Sequence, residues 1–584
     1  MRFRSPVLLV LALVAILGVA RGSYYWQNVA LTAAVFCILA VSLDLAAGVT
    51  GLYSLGHAGL FALGAYTTTL LNSHFGTNVF LLLPLVIVGV GLVGILLGSL
   101  SLRVSGLYFA ITTFIFTLVV GVLLSDLDFT GGLQGLPGPT FPDFPLSLSG
   151  LGSSVAWAAG LALLATVAIV WSIRSSPMYP VLLAIRDAEP FAAAAGVRTS
   201  VVKVLVFGLS SALAGVAGWV FSFLGFVSPG QFTWNVSVNI LVMVILGGIN
   251  TRIGPLLGAV FVSAFPVVVA IDPFQQEALF GLVFLLVIVF LPQGVVGLSG
   301  QLARRFRPPV AVPDVTPAVL GPREIPASDE PALAVRGVTF SYTKGVRALD
   351  DVDMTVRRGT IHGLIGPNGS GKSTLVNLIS GQLRPDAGTI SAVGERIDDR
   401  PAAARAGRGL SRTFQTPVLV RELAARQNVG IGTYSTTPRL LGRAPLWPVL
   451  PGSRRTDRRI HEQADQALGE LGLAPRWGVA RVADAPHGIE MLTQFAAATV
   501  ARPSVLLLDE PLAGLSAGEV EHVAGILDRL RDAGVTVIVV EHQTKFIFRL
   551  CDEVTVLAAG QLITTGSAAE VRNDSRVREV YLGQ

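Results

Sequence analysis

The stretch Gly366-Pro367-Asn368-Gly369-Ser370-Gly371-Lys372-Ser373-Thr374 carries the residue types that hold a triphosphate. Its glycines let backbone N–H groups converge on anionic oxygens, Lys372 is placed for the β and γ oxygens, and Ser373 offers a hydroxyl to magnesium. Lysine occurs only four times (Lys203, Lys344, Lys372, Lys545), so finding one at this position is informative. Two carboxylates end an apolar run, Val505-Leu-Leu-Leu-Asp509-Glu510-Pro511. Asp509 is placed to bind the metal, directly or through water, and Glu510 to polarise an attacking water. Phosphoryl transfer relies on such positioning and charge neutralisation. Val537-Ile-Val-Val-Glu541-His542 puts His542 at another strand end, beside the γ-phosphate, and Arg412-Thr-Phe-Gln415 supplies a glutamine to sense nucleotide and join the metal. Tyr342, in Phe340-Ser-Tyr342, is placed either to stack on adenine or to serve as an ordinary strand aromatic. The set predicts ATP and Mg2+ as cofactors and hydrolysis as the reaction.

The elements that must position these groups follow from the pattern. Thr360–Ile365 reads as a strand feeding the glycine-rich loop, and Lys372 opens a helix, which is the context such a loop requires. Short β-rich runs alternate with helical ones from residue 332 to 584, as in an α/β domain. Phe340–Tyr342 is expected just before the first core strand.

The first half of the chain differs. The sequence has 584 residues, of which 52% are hydrophobic and only 14% charged, well below the quarter or so of soluble domains. The deficit is concentrated in residues 1–302. Candidate spans of about 20 apolar residues fall at 6–20, 28–47, 52–72, 79–100, 106–124, 154–173, 204–225, 235–250, 254–271 and 277–294, about ten in all. Arg2 and Arg4 keep the N-terminus inside. Arg103, Arg174, Arg186, Arg198, Lys203, Arg252, Arg304, Arg305 and Arg307 then fall in inside loops, and Asp126, Asp128, Asp143, Asp272 and Glu277 in outside ones, with Arg21 the exception. An even count returns the chain to the side where ATP is. The first span also has the look of a cleavable secretory signal, ending at Gly18-Val19-Ala20. The net charge of +5 comes without basic runs interleaved with aromatics, so nucleic acid is not an expected partner. Cys37 and Cys551 form no disulfide framework or metal spacing and read as packing residues.

Asp44 and His57, inside apolar segments, should face protein or a water-filled path. Glycines from Gly48 to Gly64 permit close packing or a break there, so a translocation path and a tight helix contact are both open readings. The Ser-Leu-Gly-His-Ala core and Gly-Ala-Tyr of Gly48–Tyr66 resemble the permease of high-affinity branched-chain amino-acid ABC importers. So do the blocks at 102–110, 130–137, 184–197, 226–229 and 246–250, across roughly residues 28–300. The resemblance implies a coupling helix around Arg186-Asp187-Ala188-Glu189, by which a permease docks on its ATPase; a solvated inside loop is the plain alternative. The catalytic half resembles the ATPase of the same importers, through Gly363–Gly369, an insertion at about 419–480, and the ending Gly566–Asp574 through Val580–Gly583.

One departure stands out. Where such ATPases carry a Ser-Gly-Gly-Gln-like signature that grips ATP on the opposite subunit, this chain has Ala485-Pro486-His487-Gly488-Ile489-Glu490, retaining only Gly488. Pro486 offers no hydroxyl and Glu490 adds negative charge near a triphosphate. An asymmetric ATPase pair is therefore expected, strong at Lys372 and Glu510 and weak at the site built from this signature.

Residues 303–331 are rich in proline and cannot bury enough apolar surface to fold, so they read as a tether whose arginines touch lipid. The expectation is a polytopic α-helical membrane domain (1–302), this linker (303–331) and an α/β P-loop ABC-type ATPase domain (332–584), in the cytoplasmic membrane with the ATPase inside. The resemblance implies ATP-driven import of branched-chain amino acids or related small polar solutes. It also implies a second permease subunit, a second ABC ATPase subunit and an extracytoplasmic substrate-binding protein. Import of urea, short amides or other amino acids, and a low-hydrolysis regulatory subunit, are the alternatives. Exporter half-transporters with six long helices fit ten short-looped spans poorly.

Overall fold

A computed structural model describes residues 24–101, 106–142, 154–269, 272–291, 294–297, 330–343, 345–436 and 453–582. The chain divides into two compact units, and Pro177–Thr199 groups with the second although its neighbours on both sides belong to the first.

The first unit is helical. Its elements are α1 (Tyr24–Thr50), α2 (His57–Phe75), α3 (Val79–Ser101), α4 (Leu107–Asp126) and α5 (Ser154–Ser175), then α8 (Thr199–Phe221), α9 (Trp234–Gly247), α10 (Gly254–Val268) and α11 (Pro273–Phe290); α6 (Met178–Asp187) and α7 (Glu189–Ala194) lie in Pro177–Thr199. Every expected span from 28 onward contains one of these helices. The span at 6–20, Arg103 and all but Glu330 and Pro331 of the linker lie outside the described residues. Seven helical stretches among the described residues are long and apolar enough to cross a membrane, and α10 is shorter, so the described helices do not establish a count of ten. α1 is the core, packed on α5, α9 and α10 and buried along most of its length. α3 shows the two-faced pattern of a peripheral span: Leu81, Leu85, Val88 and Leu92 are exposed while Leu82, Val86, Val90 and Leu97 are buried.

Several buried polar groups of this unit are paired across helices. The break between α1 and α2 leaves backbone groups without helical partners, which apolar surroundings make costly. Side-chain hydroxyls from other helices replace them: Leu55 N–H donates to Thr113 Oγ1 (3.0 Å), Thr117 Oγ1 donates to Leu55 O (2.9 Å), and Ala58 N–H donates to Ser237 Oγ (3.1 Å). Ser210 Oγ donates its one proton to Ser42 O, so the His57 Nε2 atom 3.1 Å from Ser210 must be the donor. Gly64 and Gly215 allow α2 and α8 to touch: a Cβ on Gly64 would lie 2.4 Å from Gly215 O.

Asp44 also faces protein, as expected, but its partner corrects the sequence reading. Arg174, expected in a solvated loop, sits in the last turn of α5 and is buried against Asp44. It also donates to Thr251 O, while Asp44 Oδ1 accepts Asn250 N–H at 2.7 Å. The helix runs past the predicted end at residue 173, and the carboxylate on α1 supplies the countercharge that makes burial tolerable. The pair thereby joins α1, α5 and the turn before α10.

The second unit is α/β. Its strands are β1 (Leu333–Thr343), β2 (Val346–Val356), β3 (Ile361–Ile365), β4 (Ala387–Ala392), β5 (Glu395–Arg396), β6 (Leu410–Arg412), β7 (Val505–Asp509), β8 (Thr536–Val540), β9 (Glu553–Ala558) and β10 (Gln561–Gly566). They form a six-stranded sheet ordered β10-β9-β3-β8-β7-β6, parallel except for β10, and a four-stranded antiparallel sheet ordered β2-β1-β4-β5. β3, β7 and β8 are buried throughout, as their unbroken apolar runs require of parallel strands. The helices used below are α12 (Lys372–Ser380), α13 (Ala402–Ala406), α14 (Ala425–Gly432), α15 (Ser453–Glu470), α16 (His487–Thr499) and α17 (Ala517–Asp532). Phe340-Ser-Tyr342 lies within β1 rather than before it, because β1 pairs with β2 as far as Thr343.

Asp44→Ala leaves Arg174 uncompensated and should cost about 3–5 kcal/mol, whereas Asp44→Ala combined with Arg174→Met should recover much of the loss. Thermal unfolding in detergent measures both, and a double variant no more stable than Asp44→Ala would refute the pairing. His362 in β3 is fully buried, with Nε2 2.8 Å from Thr555 Oγ1, and burial lowers it from 6.5 to about 4. The folded state keeps it neutral while the unfolded chain takes a proton below about 6.5. Stability is therefore lost as pH falls from about 6.5 towards 4, by on the order of 3 kcal/mol. Denaturation midpoints at pH 7, 6 and 5 should fall less steeply in His362→Gln than in the parent.

Candidate functional site

β3 delivers the glycine-rich loop to the first turn of α12. Gly371 takes φ 99°, and a Cβ there would lie 2.6 Å from Leu349 Cδ2 and 2.8 Å from Ala348 O, so only glycine fits. The Lys372 ammonium lies inside the loop, donating to Gly366 O (2.8 Å) and Pro367 O (2.9 Å). Among the described residues it has no carboxylate at ion-pair distance, so its charge remains available to an anion. Burial lowers its pKa, with Glu510 and Asp509 opposing. Asn368, Gly369 and Ser373 are exposed and Ser370 and Thr374 are buried. A cradle with this shape and charge fits a triphosphate, with Lys372 and the α12 N-terminus as its holding groups.

The two carboxylates emerge from β7 in different surroundings. Burial raises Asp509 above its ordinary pKa, and the Arg412 guanidinium, 2.9 Å from Oδ2, opposes that rise. Glu510 is half-exposed and takes φ 47°, the left-handed region, with its N–H donating to Val540 O at 2.9 Å. Its carboxylate has a different partner on each oxygen. Gln415 Nε2 donates to Oε2 at 2.7 Å, and His542 Nδ1 lies 3.4 Å from Oε1. Glu541, buried at the end of β8, accepts the N–H of Leu512 (2.9 Å) and of His542 (3.2 Å), which fixes the backbone on which His542 sits.

Lys372, Asp509, Glu510, Gln415 and His542 are thus gathered at the strand ends of one sheet. Tyr342 is exposed, and its hydroxyl lies 3.2 Å from Thr374 Oγ1, beside the start of α12. Gly488 stands elsewhere, in the first turn of α16. A Cβ on it would lie 2.2 Å from Glu519 Oε1, and Glu490 occupies the same turn. Sequence reasoning passed over two arginines. Arg405 is fully buried and donates to Leu378 O (2.5 Å), Ile379 O (2.8 Å), Arg400 O (2.8 Å) and Asp398 O (3.1 Å), capping the carbonyl end of α12. Arg412 stands three residues before Gln415 in the sequence. The available signal was strand periodicity: its partner on β7 is Leu507, two residues before Asp509 and hence on the same face.

The segment Pro177–Thr199 lies against this unit. Arg186 is 3.5 Å from Glu422, α6 packs on α14, and α7 packs on α13. Phe191, Ala194 and Ala195 line a cleft of about 280 Å³ with Arg408, Leu410 and Arg412. The alternative of a merely solvated loop does not describe α6, whose Met178, Val181, Leu182 and Ile185 are buried.

Residues 25–292 match the family described as branched-chain amino acid transport system / permease component. Residues 349–513 match the ABC transporter family, and residues 561–584 the branched-chain amino acid ATP-binding cassette transporter family. The high-affinity branched-chain amino acid transport ATP-binding protein BraF of Pseudomonas aeruginosa is 31% identical over 257 residues, 44% of this chain and 98% of that protein. A ribose import ATP-binding protein, RbsA 2, of Rhizobium etli is 34% identical over 251 residues, 43% of this chain and 46% of that protein. The galactose/methyl galactoside import ATP-binding protein MglA of Escherichia coli K12 is 32% identical over 249 residues, 43% of this chain and 46% of that protein. The chain spans about half the length of both sugar-import proteins. Its apolar helices make it a multi-pass membrane protein with a cytoplasmic cassette. An ATP-hydrolysing cassette follows a permease domain in one polypeptide, and the chain belongs to the ABC transporter family as a fused permease and ATPase of the branched-chain amino-acid importer type.

Proposed function

We propose that the chain imports branched-chain amino acids or related small polar solutes, driven by ATP. It would work with a second permease, a second ABC ATPase and an extracytoplasmic binding protein. The observation that carries this reading is the docking of Pro177–Thr199, a segment interrupting the permease sequence, against the strand and helices that lead to Gln415 and Arg412. The boundaries we assign are 1–302 for the permease, 303–331 for the linker and 332–584 for the ATPase. Leucine-like amino acids are the preferred cargo because both halves of the chain match families of that description, while urea, short amides and other amino acids remain as alternatives in the uptake test below.

The geometry of the strand ends supports the following roles. The loop Gly366–Thr374 and Tyr342 hold nucleotide, and Lys372 exchanges its loop carbonyls for phosphate oxygens. Ser373, Gln415 and Asp509 would hold Mg2+, whose charge offsets that of the phosphates when bound. Glu510 orients the attacking water and accepts its proton, and His542 keeps the Glu510 carboxylate placed from the opposite oxygen. A second reading concerns Gly488. Glu490 and Glu519 crowd the helix end that would otherwise take a partner's nucleotide, which favours an asymmetric pair of sites.

Lys372→Ala should abolish nucleotide binding and uptake in reconstituted vesicles. Glu510→Gln should retain binding and lower turnover by about 10²–10⁴-fold; an undiminished ATPase rate would instead favour a regulatory subunit. Labelled leucine uptake should be competed by leucine-like amino acids and not by urea, and the reverse order would reassign the cargo. Equal loss on mutating the catalytic glutamate of either ATPase would remove the asymmetric reading.

A further inference from the structure

The residue that holds Asp509 has no role in the reading above. Arg412 ends β6 opposite Leu507 in parallel register, so its side chain leaves the sheet on the face shared by Leu507 and Asp509. Its guanidinium is buried and fully divided. Nη2 donates to Asp509 Oδ2 at 2.9 Å, and Nη1 donates to Asn377 Oδ1 at 2.6 Å and Ser380 Oγ at 2.9 Å. Nε donates to Thr413 O at 3.2 Å, and the group sits 5.1 Å from the centre of the Phe414 ring. Asn377 and Ser380 belong to the last turn of α12, the helix that Lys372 opens.

The geometry is unlike a plain salt bridge. A guanidinium paired with a carboxylate for stability alone tends to take both oxygens. Here Arg412 takes one, and Oδ1 of Asp509 makes no hydrogen bond among the described residues. The other arm of the fork is used on the helix end. A lysine, with a single point charge, cannot serve both at once.

We infer that Arg412 is a positioning residue for hydrolysis. By holding Asp509 through Oδ2 and the far end of α12 through Asn377 and Ser380, it presents Oδ1 to the divalent metal at a set position relative to Lys372. The inference rests on the proposed reading of Asp509 as a metal-holding group. It also explains why the strand carrying Arg412 continues directly into Gln415, which reaches Glu510: a shift of β6 against α12 would move Oδ1 and Gln415 together.

The test follows a fluorescent ATP analogue binding to the full-length chain in detergent as MgCl2 is added, so that no turnover is required. Arg412→Met should leave metal-free binding within about twofold of the parent and raise the Mg2+ concentration for half-maximal effect by about 10–100-fold, as loss of a group supporting a metal ligand does. Asp509→Asn should raise it likewise, and the double variant should be no worse than Asp509→Asn. An unchanged Mg2+ requirement in Arg412→Met, with a raised one in Asp509→Asn, overturns the inference and leaves the Asp509 reading standing. An unchanged requirement in Asp509→Asn removes the reading and the inference with it. Equal weakening of metal-free and metal-dependent binding in Arg412→Met assigns the arginine to structure alone and also overturns the inference. If Arg412→Met does not fold, Arg412→Lys takes its place, and additive effects with Asp509→Asn overturn the proposal.

Discussion

A nine-residue helix governs the catalytic unit, because its two ends have opposite electrical needs. The N-terminal end of α12, at Gly371 and Lys372, collects N–H groups and positive potential for an anion. Its C-terminal end exposes carbonyls inside the protein, where water cannot reach them. Arg405 supplies donors to two of those carbonyls, and Arg412 binds two side chains of the same turn. Burial lowers Arg405 to about 10 and also lowers Arg412, yet both stay charged at neutral pH. Their charge is the kind a helix C-terminus favours. A helix anchored this way cannot tilt without breaking buried hydrogen bonds, so the loop ahead of it keeps its shape.

The helical unit meets the same requirement by different means. Where α1 stops and α2 begins, hydroxyls on α4 and α9 take over the work of the missing helical bonds. Where a charge enters the interior, Asp44 and Arg174 neutralise one another, with the backbone around Asn250 and Thr251 completing the set. Each device ties together segments distant in sequence, and α1 contributes Asp44 and Ser42 to them. α1 is buried along most of its length by its packing on α5, α9 and α10, although its composition is no more apolar than theirs.

Much of the site was readable in the sequence because its parts are local. A strand, a glycine-rich turn and a helix start carry Lys372, and an apolar run ends in Asp509 and Glu510. Helix and strand placement in both halves followed from runs of apolar residues, with Phe340–Tyr342 displaced by pairing between β1 and β2. What stayed hidden is non-local. Arg174 looked like a loop residue because its countercharge lies on α1, 130 residues earlier. Arg412 was not linked to Asp509 because the carboxylate lies 97 residues later, and Arg405 left no signal because its acceptors are backbone carbonyls. Charge alone does not reveal burial when the partner carries no charge. The packing of α6 on α14 was legible only through the family resemblance.

Glu510 holds a backbone conformation with φ 47°, which side chains other than glycine resist. Glycine at that position would relieve the strain while deleting the carboxylate. Selection for heat resistance alone should therefore drift towards a hardier protein that no longer turns over, and any durable form of this transporter has to gain its toughness somewhere else in the fold.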